Sequence, residues 1–91
     1  MRLVWTVLAL RQLDGVSEYI AKDNPKAATK LLKSIRKSAG LLRQQPFMGR
    51  RTEFDSVREL VVNPNYLLSY RVGSEVVEIL QVWHVAQSRY H

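Results

Sequence analysis

The chain has 91 residues, with 14 Lys and Arg against 8 Asp and Glu, a formal charge of +6, and no cysteine. The last fact excludes disulfides, thiolate metal sites and cysteine nucleophiles, and no apolar run approaches the roughly 18 residues of a membrane-spanning helix. The length suits one domain over residues 1–91 with one modest core, and the cationic excess points to a polyanionic partner, either nucleic acid or an acidic protein.

Residues 2–8 (Arg-Leu-Val-Trp-Thr-Val-Leu) read as a first strand, dense enough in apolar residues to predict cover on both faces. A secretory signal does not fit here. Thr6 interrupts the run, Arg11-Gln12 closes it, and no small-residue cleavage pattern follows. A cytoplasmic location is the expectation. Ala9, Leu13, Val16 and Ile20 then recur at helical spacing, with Arg11, Asp14, Glu18 and Lys22 among the solvated positions. Asp23-Asn24-Pro25 ends this helix and starts another, with Asn24 as N-cap and Pro25 in the first turn.

The second helix is predicted from Pro25 to Leu42. Ala28, Leu31, Leu32, Ile35, Ala39 and Leu42 make its buried stripe, while Lys26, Lys30, Lys33 and Lys37 share the solvent side with Arg36 and Arg43 nearby. Eight cations and no acid lie between Lys26 and Arg51. The tight Asn-Pro corner predicts an αα-hairpin. Residues 44–51 read as an exposed loop broken by Pro46 and Gly49.

Three runs rich in β-branched and aromatic residues follow: 57–62, 66–72 and 75–85, separated by Asn63-Pro64-Asn65 and Gly73-Ser74. They predict a three-stranded antiparallel meander. A two-residue Gly73-Ser74 turn of type II′ or I′ would set Val72 opposite Glu75, Tyr70 opposite Val77, Leu68 opposite Ile79, and Tyr66 opposite Gln81. Alternation then places Tyr66, Leu68, Tyr70, Val72, Val77, Ile79 and Trp83 on an apolar core face. Leu67, Ser69, Arg71, Val76, Glu78, Leu80, Val82 and His84 fall on a mixed face. Trp5 and Trp83 read as core. Residues 85–91 read as a flexible tail. The order β-α-α-β-β-β predicts an α+β fold, a helical hairpin packed on a small antiparallel-meander sheet.

These residues, in this order, resemble the RelE/ParE superfamily of bacterial toxins from type II toxin–antitoxin modules. The likeness runs from the Trp5 strand through Asn24-Pro25-x-Ala27-Ala28 and Pro46…Gly49-Arg50. It continues with Arg58-Glu59-Leu60, Tyr70-Arg71-Val72 and Val82-Trp83-His84. In detail it is nearest the ParE side. The resemblance implies a small, basic, cytoplasmic growth inhibitor of a plasmid-stabilisation or stress module, held inactive by a cognate antitoxin protein. ParE-like members inhibit DNA gyrase without acting as enzymes; RelE-like members are endoribonucleases that cleave mRNA on the ribosome.

Metal-free RNA cleavage needs a base for the 2′-OH, an acid for the leaving oxygen and cations at the scissile phosphate. RelE-like toxins resemble one another in an Arg just after the position of Tyr66, and many add basic residues at the end of the last strand. This chain has Leu67 and Val85 at those places. His84 reads as the general base under the nuclease alternative and as a hydrogen-bonded structural residue otherwise. The Arg89-Tyr90-His91 end resembles the basic-aromatic ends of some nuclease relatives but lies beyond the predicted strand. Arg50, Arg51, Arg58 and Arg71 are candidate target contacts, although Arg58 and Arg71 could equally pair with Glu59, Glu78 or Asp55. Lys26, Lys30, Lys33 and Lys37 are candidate contacts to nucleic acid or to an acidic antitoxin. No motif calls for a metal or a cofactor. The readings are therefore a gyrase inhibitor, a ribosome-dependent nuclease, or a domain that only binds its antitoxin.

Overall fold

The computed structural model describes residues 1–85. Among these described residues the elements are β1 (Arg2–Trp5), α1 (Val7–Ala21), α2 (Pro25–Leu41), β2 (Arg50–Arg51), β3 (Val57–Asn63), β4 (Tyr66–Val72) and β5 (Val76–His84). The strands form one mixed sheet in the order β1-β5-β4-β3-β2, with β1 parallel to β5 and the other pairs antiparallel. The expected flexible tail, with Arg89, Tyr90 and His91, lies outside the described residues beyond Val85.

The α+β layering and the meander match the sequence expectation. The helices bury Ala9 and Leu13 from α1, and Ile35 and Ala39 from α2 with Leu42 after it. These side chains pack on Val62, Leu68, Tyr70, Val77, Ile79 and Val82 from one sheet face. Asn24 caps α2 as its chemistry requires: its Oδ1 accepts from the Ala27 N–H at 3.0 Å, with Pro25 in the first turn.

The first strand is shorter than expected. Thr6 ends it by turning its hydroxyl onto the helix that follows, accepting from the Ala9 N–H at 3.1 Å. Val7 and Leu8 therefore enter α1, where they are exposed. Nor is β1 covered on both faces: it is an edge strand with Arg2 and Val4 exposed and Leu3 and Trp5 half-buried.

Thr6 also donates from its hydroxyl to the carbonyls of Ile79 (2.9 Å) and Leu80 (3.2 Å), so one side chain joins α1 to β5. Thr6→Ala removes a cap and a cross-sheet tie together. It should cost about 2 kcal/mol, seen in urea unfolding as a lower midpoint at unchanged slope.

The hairpin register differs from the prediction in two steps. The Gly73 N–H donates to the Val76 carbonyl at 2.8 Å, so Ser74 and Glu75 form the turn and Val72 faces Val77. Among the described residues only Ser56 has a positive φ (67°), which excludes the type I′ and II′ geometries at this turn. Moving the turn by one residue shifts the register by two and leaves the faces unchanged. The second step does not. Tyr70 faces Ile79 but Ser69 faces Gln81, so Leu80 is an extra residue, a β-bulge. One unpaired residue reverses side-chain parity from there on. Val82 and His84, expected on the mixed face, join the helix-facing side, with Val82 in the core. Trp83, expected in the core, turns to the opposite face beside Leu67, its partner in register.

Candidate functional site

The sheet face turned away from the helices is open where Arg50 and Arg71 are exposed, while Leu67 and Ser69 on the same face are buried. A cleft of about 1070 Å³ there is lined by Arg50, Arg51, Glu59, Ser69, Arg71 and Trp83, with the loop 52–57 as one wall. That wall is pre-set: Thr52 Oγ1 accepts from the Phe54 N–H at 3.1 Å and lies 3.0 Å from the Val57 carbonyl, to which it donates. Ser56 sits in the left-handed region and its carbonyl accepts from the Val72 N–H at 2.8 Å. Such a conformation persists where the surroundings enforce it.

The residues predicted to line a loop at 50–51 instead form β2, an edge strand facing β3, with Arg50 opposite Glu59 and Arg51 opposite Arg58. Cross-strand charge pairing supports the first of these two positions. Arg50 donates from both Nε (3.1 Å) and Nη2 (2.9 Å) to one carboxylate oxygen of Glu59. Arg71 is held more loosely, 3.9 Å from Glu78 with both side chains about half exposed. Arg51 is exposed and makes no ion pair among the described residues. Arg50 and Arg71 thus share the open face, while Arg51, opposite Arg58 in register, borders the cleft from its edge.

Arg58 does not join them. Its register partner is Tyr70, a core residue, so its side chain lies on the other face. There its Nη1 donates to the carbonyls of Gly49 (2.8 Å) and Phe47 (3.2 Å), and its guanidinium stacks 5.1 Å from the centre of the Phe47 ring. Tyr70 holds the same loop from beneath: its hydroxyl donates to the Pro46 carbonyl at 2.8 Å and accepts from the Gly49 N–H at 2.9 Å. Burial pushes the Tyr70 hydroxyl above its usual pKa, opposed in part by the Gly49 N–H and the Arg58 charge. Arg58 is therefore a structural tie between sheet and loop.

His84 stands on the helix-facing side, at the far end of the sheet. Its ring meets Tyr66 edge to face, centroids 5.2 Å apart. A second cleft, of about 580 Å³, is lined there by Gln12, Gly15, Val16, Tyr19, Tyr66 and His84. Tyr66 is pushed above its usual pKa by burial and then by the nearby Tyr19. Because β1 stops at Trp5, the far half of β5 has a strand, β4, on one side only. Gln12 Oε1 fills the gap by accepting from the Val82 N–H at 2.7 Å. His84 and the arginines of the open face are thus on opposite sides of the sheet.

Lys26, Lys30, Lys33 and Lys37 are all exposed on the outer side of α2, opposite Ala28, Ile35 and Ala39. They form a third surface, separate from both clefts.

Sequence reasoning missed the roles of Gly49 and Tyr70 in the loop, of Glu59 toward Arg50, and of Gln12 toward Val82. Only the Pro46…Gly49 spacing signalled the first two; the roles of Glu59 and Gln12 depend on β2 and the bulge, which no local pattern marks. Among the described residues no group of three or more His, Asp or Glu is placed to hold a metal, and no helix is long and apolar enough to cross a membrane.

Residues 3–89 match the family model described as ParE toxin of type II toxin–antitoxin system, parDE. The protein Y4kP of Sinorhizobium fredii is 40% identical over 94% of this chain and 90% of its own length. Toxin RelE2 of Caulobacter vibrioides is 34% identical over 94% of this chain and 97% of its own. Among solved structures, that of the chromosomal ParDE system from P. aeruginosa superposes with a TM-score of 0.84 at 27% identity, covering 93% of this chain and 96% of that one. The E. coli DinJ–YafQ complex shares the fold at 11% identity, with a TM-score of 0.69 over 96% of this chain and 97% of that one.

Proposed function

Since the chain belongs to the ParE family of toxins from type II toxin–antitoxin systems, we propose that it arrests growth by binding DNA gyrase through the open sheet face. A cognate antitoxin holds it inactive, and toxin, antitoxin and target meet in the cytoplasm. Arg71 makes the principal target contact on that face, Arg51 adds one from the edge of the cleft, and Arg50 is anchored by Glu59 at the rim. The protein acts as one domain and needs no cofactor.

The observation that carries this reading is the division of labour between the two sheet faces. Cutting RNA requires a base and cations around a single phosphate. Here His84 faces α1 while Arg50 and Arg71 face the other way, Arg51 stands on the edge strand beside the loop 52–57, and Arg58 is occupied with the carbonyls of Phe47 and Gly49. Leu67, where RelE-like toxins carry Arg, is buried. A binding surface remains, rich in Arg with Trp83 and Phe54 beside it, the composition of protein–protein hot spots.

The nuclease remains the second reading, favoured by the identity with toxin RelE2. One purified sample divides the two. Supercoiling by gyrase should stop while mRNA in a cell-free translation reaction keeps its ends, and His84→Ala should inhibit gyrase as well as the parent does. New codon-aligned mRNA ends with supercoiling intact would reverse the order of the readings.

A further inference from the structure

From Lys26 to Lys37 the exposed residues of α2 are Lys26, Thr29, Lys30, Lys33, Ser34, Arg36 and Lys37. No acid, aromatic or aliphatic side chain is among them. At the helical repeat the four lysines fall within an arc of roughly 60°, along a row of about 16 Å. The core side of the same helix is centred opposite, on Ala28, Ile35 and Ala39, so the row is held straight and outward by packing rather than by its own contacts. None of these cations has an ion-pair partner among the described residues.

The chemistry of this face narrows what it fits. A protein partner would need apolar or aromatic anchors at the centre of the interface, and between Lys26 and Lys37 the face offers none. Single-stranded nucleic acid is held by stacking its bases on aromatic rings, and those are also missing. What remains is a rigid polyanion met only by charge. Duplex DNA presents about one negative charge per 1.7 Å of axis, enough for every cation in the row to meet a phosphate.

We infer that the outer face of α2, through Lys26, Lys30, Lys33, Arg36 and Lys37, binds the phosphate backbone of duplex DNA without reading its sequence. The choice of DNA rests on the gyrase reading: a toxin seated on gyrase through its open sheet face would carry this second surface to the duplex that gyrase holds. The two surfaces are built from different elements, so one protein can engage both.

The test is fluorescence anisotropy of a labelled 20-base-pair duplex of arbitrary sequence, titrated with the toxin at several salt concentrations. The logarithm of affinity should fall with the logarithm of salt at a slope of about −4 to −5. K30E/K33E should flatten that slope by about 2 and weaken binding about 50-fold at 0.1 M salt. R11E/K22E removes the same charge from exposed positions of α1 and its C-cap, and should leave the slope as it was. The inference is overturned if the two variants behave alike, or if a single strand of the same length binds more tightly than the duplex. It also falls if K30E/K33E loses antitoxin and keeps DNA. Supercoiling assays on the same samples keep the two ideas apart. Gyrase inhibition without duplex binding would sink the α2 surface alone. Duplex binding with gyrase unimpeded would uphold that surface and sink the gyrase reading.

Discussion

Gly49→Ala is expected to destabilise the protein by about 3 kcal/mol. A methyl group at this position would sit 2.6 Å from the Glu59 carbonyl and 2.6 Å from the Tyr70 hydroxyl. Neither atom can yield cheaply. The carbonyl belongs to a strand paired on both sides, and Tyr70 is fully buried and fixed by its bonds to Pro46 and Gly49. Relief therefore means moving the loop, and with it the bonds from Arg58. The melting temperature should fall by about 15 °C at this size. Tyr70→Phe serves as the companion variant. It creates no clash but leaves the Pro46 carbonyl and the Gly49 N–H without their partner, at about 2 kcal/mol. If Gly49→Ala melts within a few degrees of the parent, the close approach of loop and sheet does not limit stability.

Reversing Arg51 and Arg71 together should weaken gyrase inhibition by about 100-fold while the fold survives. Neither arginine supports the structure to any great extent: Arg51 is exposed without an ion pair among the described residues, and Arg71 reaches Glu78 only at 3.9 Å. Exposed pairs of that kind contribute about 0–1 kcal/mol. Two arginines lining one binding cleft can each cost over 1 kcal/mol when lost, and reversal adds repulsion. The variant R51E/R71E should therefore melt near the parent and fail to stop supercoiling at concentrations where the parent succeeds. Full inhibition by the variant would move the contact surface elsewhere.

Much of this architecture was legible in the residues. Asn24-Pro25 marked the helical corner because capping is local chemistry, and the core stripe of α2 followed from spacing alone. The lysine row was equally readable, since exposed charge on a helix obeys the same period. What escaped depends on partners distant in sequence. The two-residue β2 pairs with β3, where Glu59 faces Arg50. The early stop at Thr6 reflects a hydroxyl shared between its own helix and carbonyls more than 70 residues away. Arg58 read equally as a target contact or as a partner of a carboxylate, and its actual partners, the carbonyls of Phe47 and Gly49, carry no sequence signal. Above all, the bulge at Leu80 carries no signature, for Leu80 is as apolar as its neighbours, and its insertion was enough to send His84 and Trp83 to the sides opposite those expected.

That bulge bears on how such chains diverge. Past Leu80, the side on which a residue stands depends on whether an odd or even number of residues separates it from the hairpin. A lineage that gained or lost one codon in this strand would exchange the residues displayed on its two surfaces without altering any of them. Histidine would then come round to the arginines and tryptophan would leave them. Kinship in composition can thus persist while the displayed chemistry changes hands, and counting residues from the turn, rather than matching them by type, is the way to tell which surface a relative has inherited.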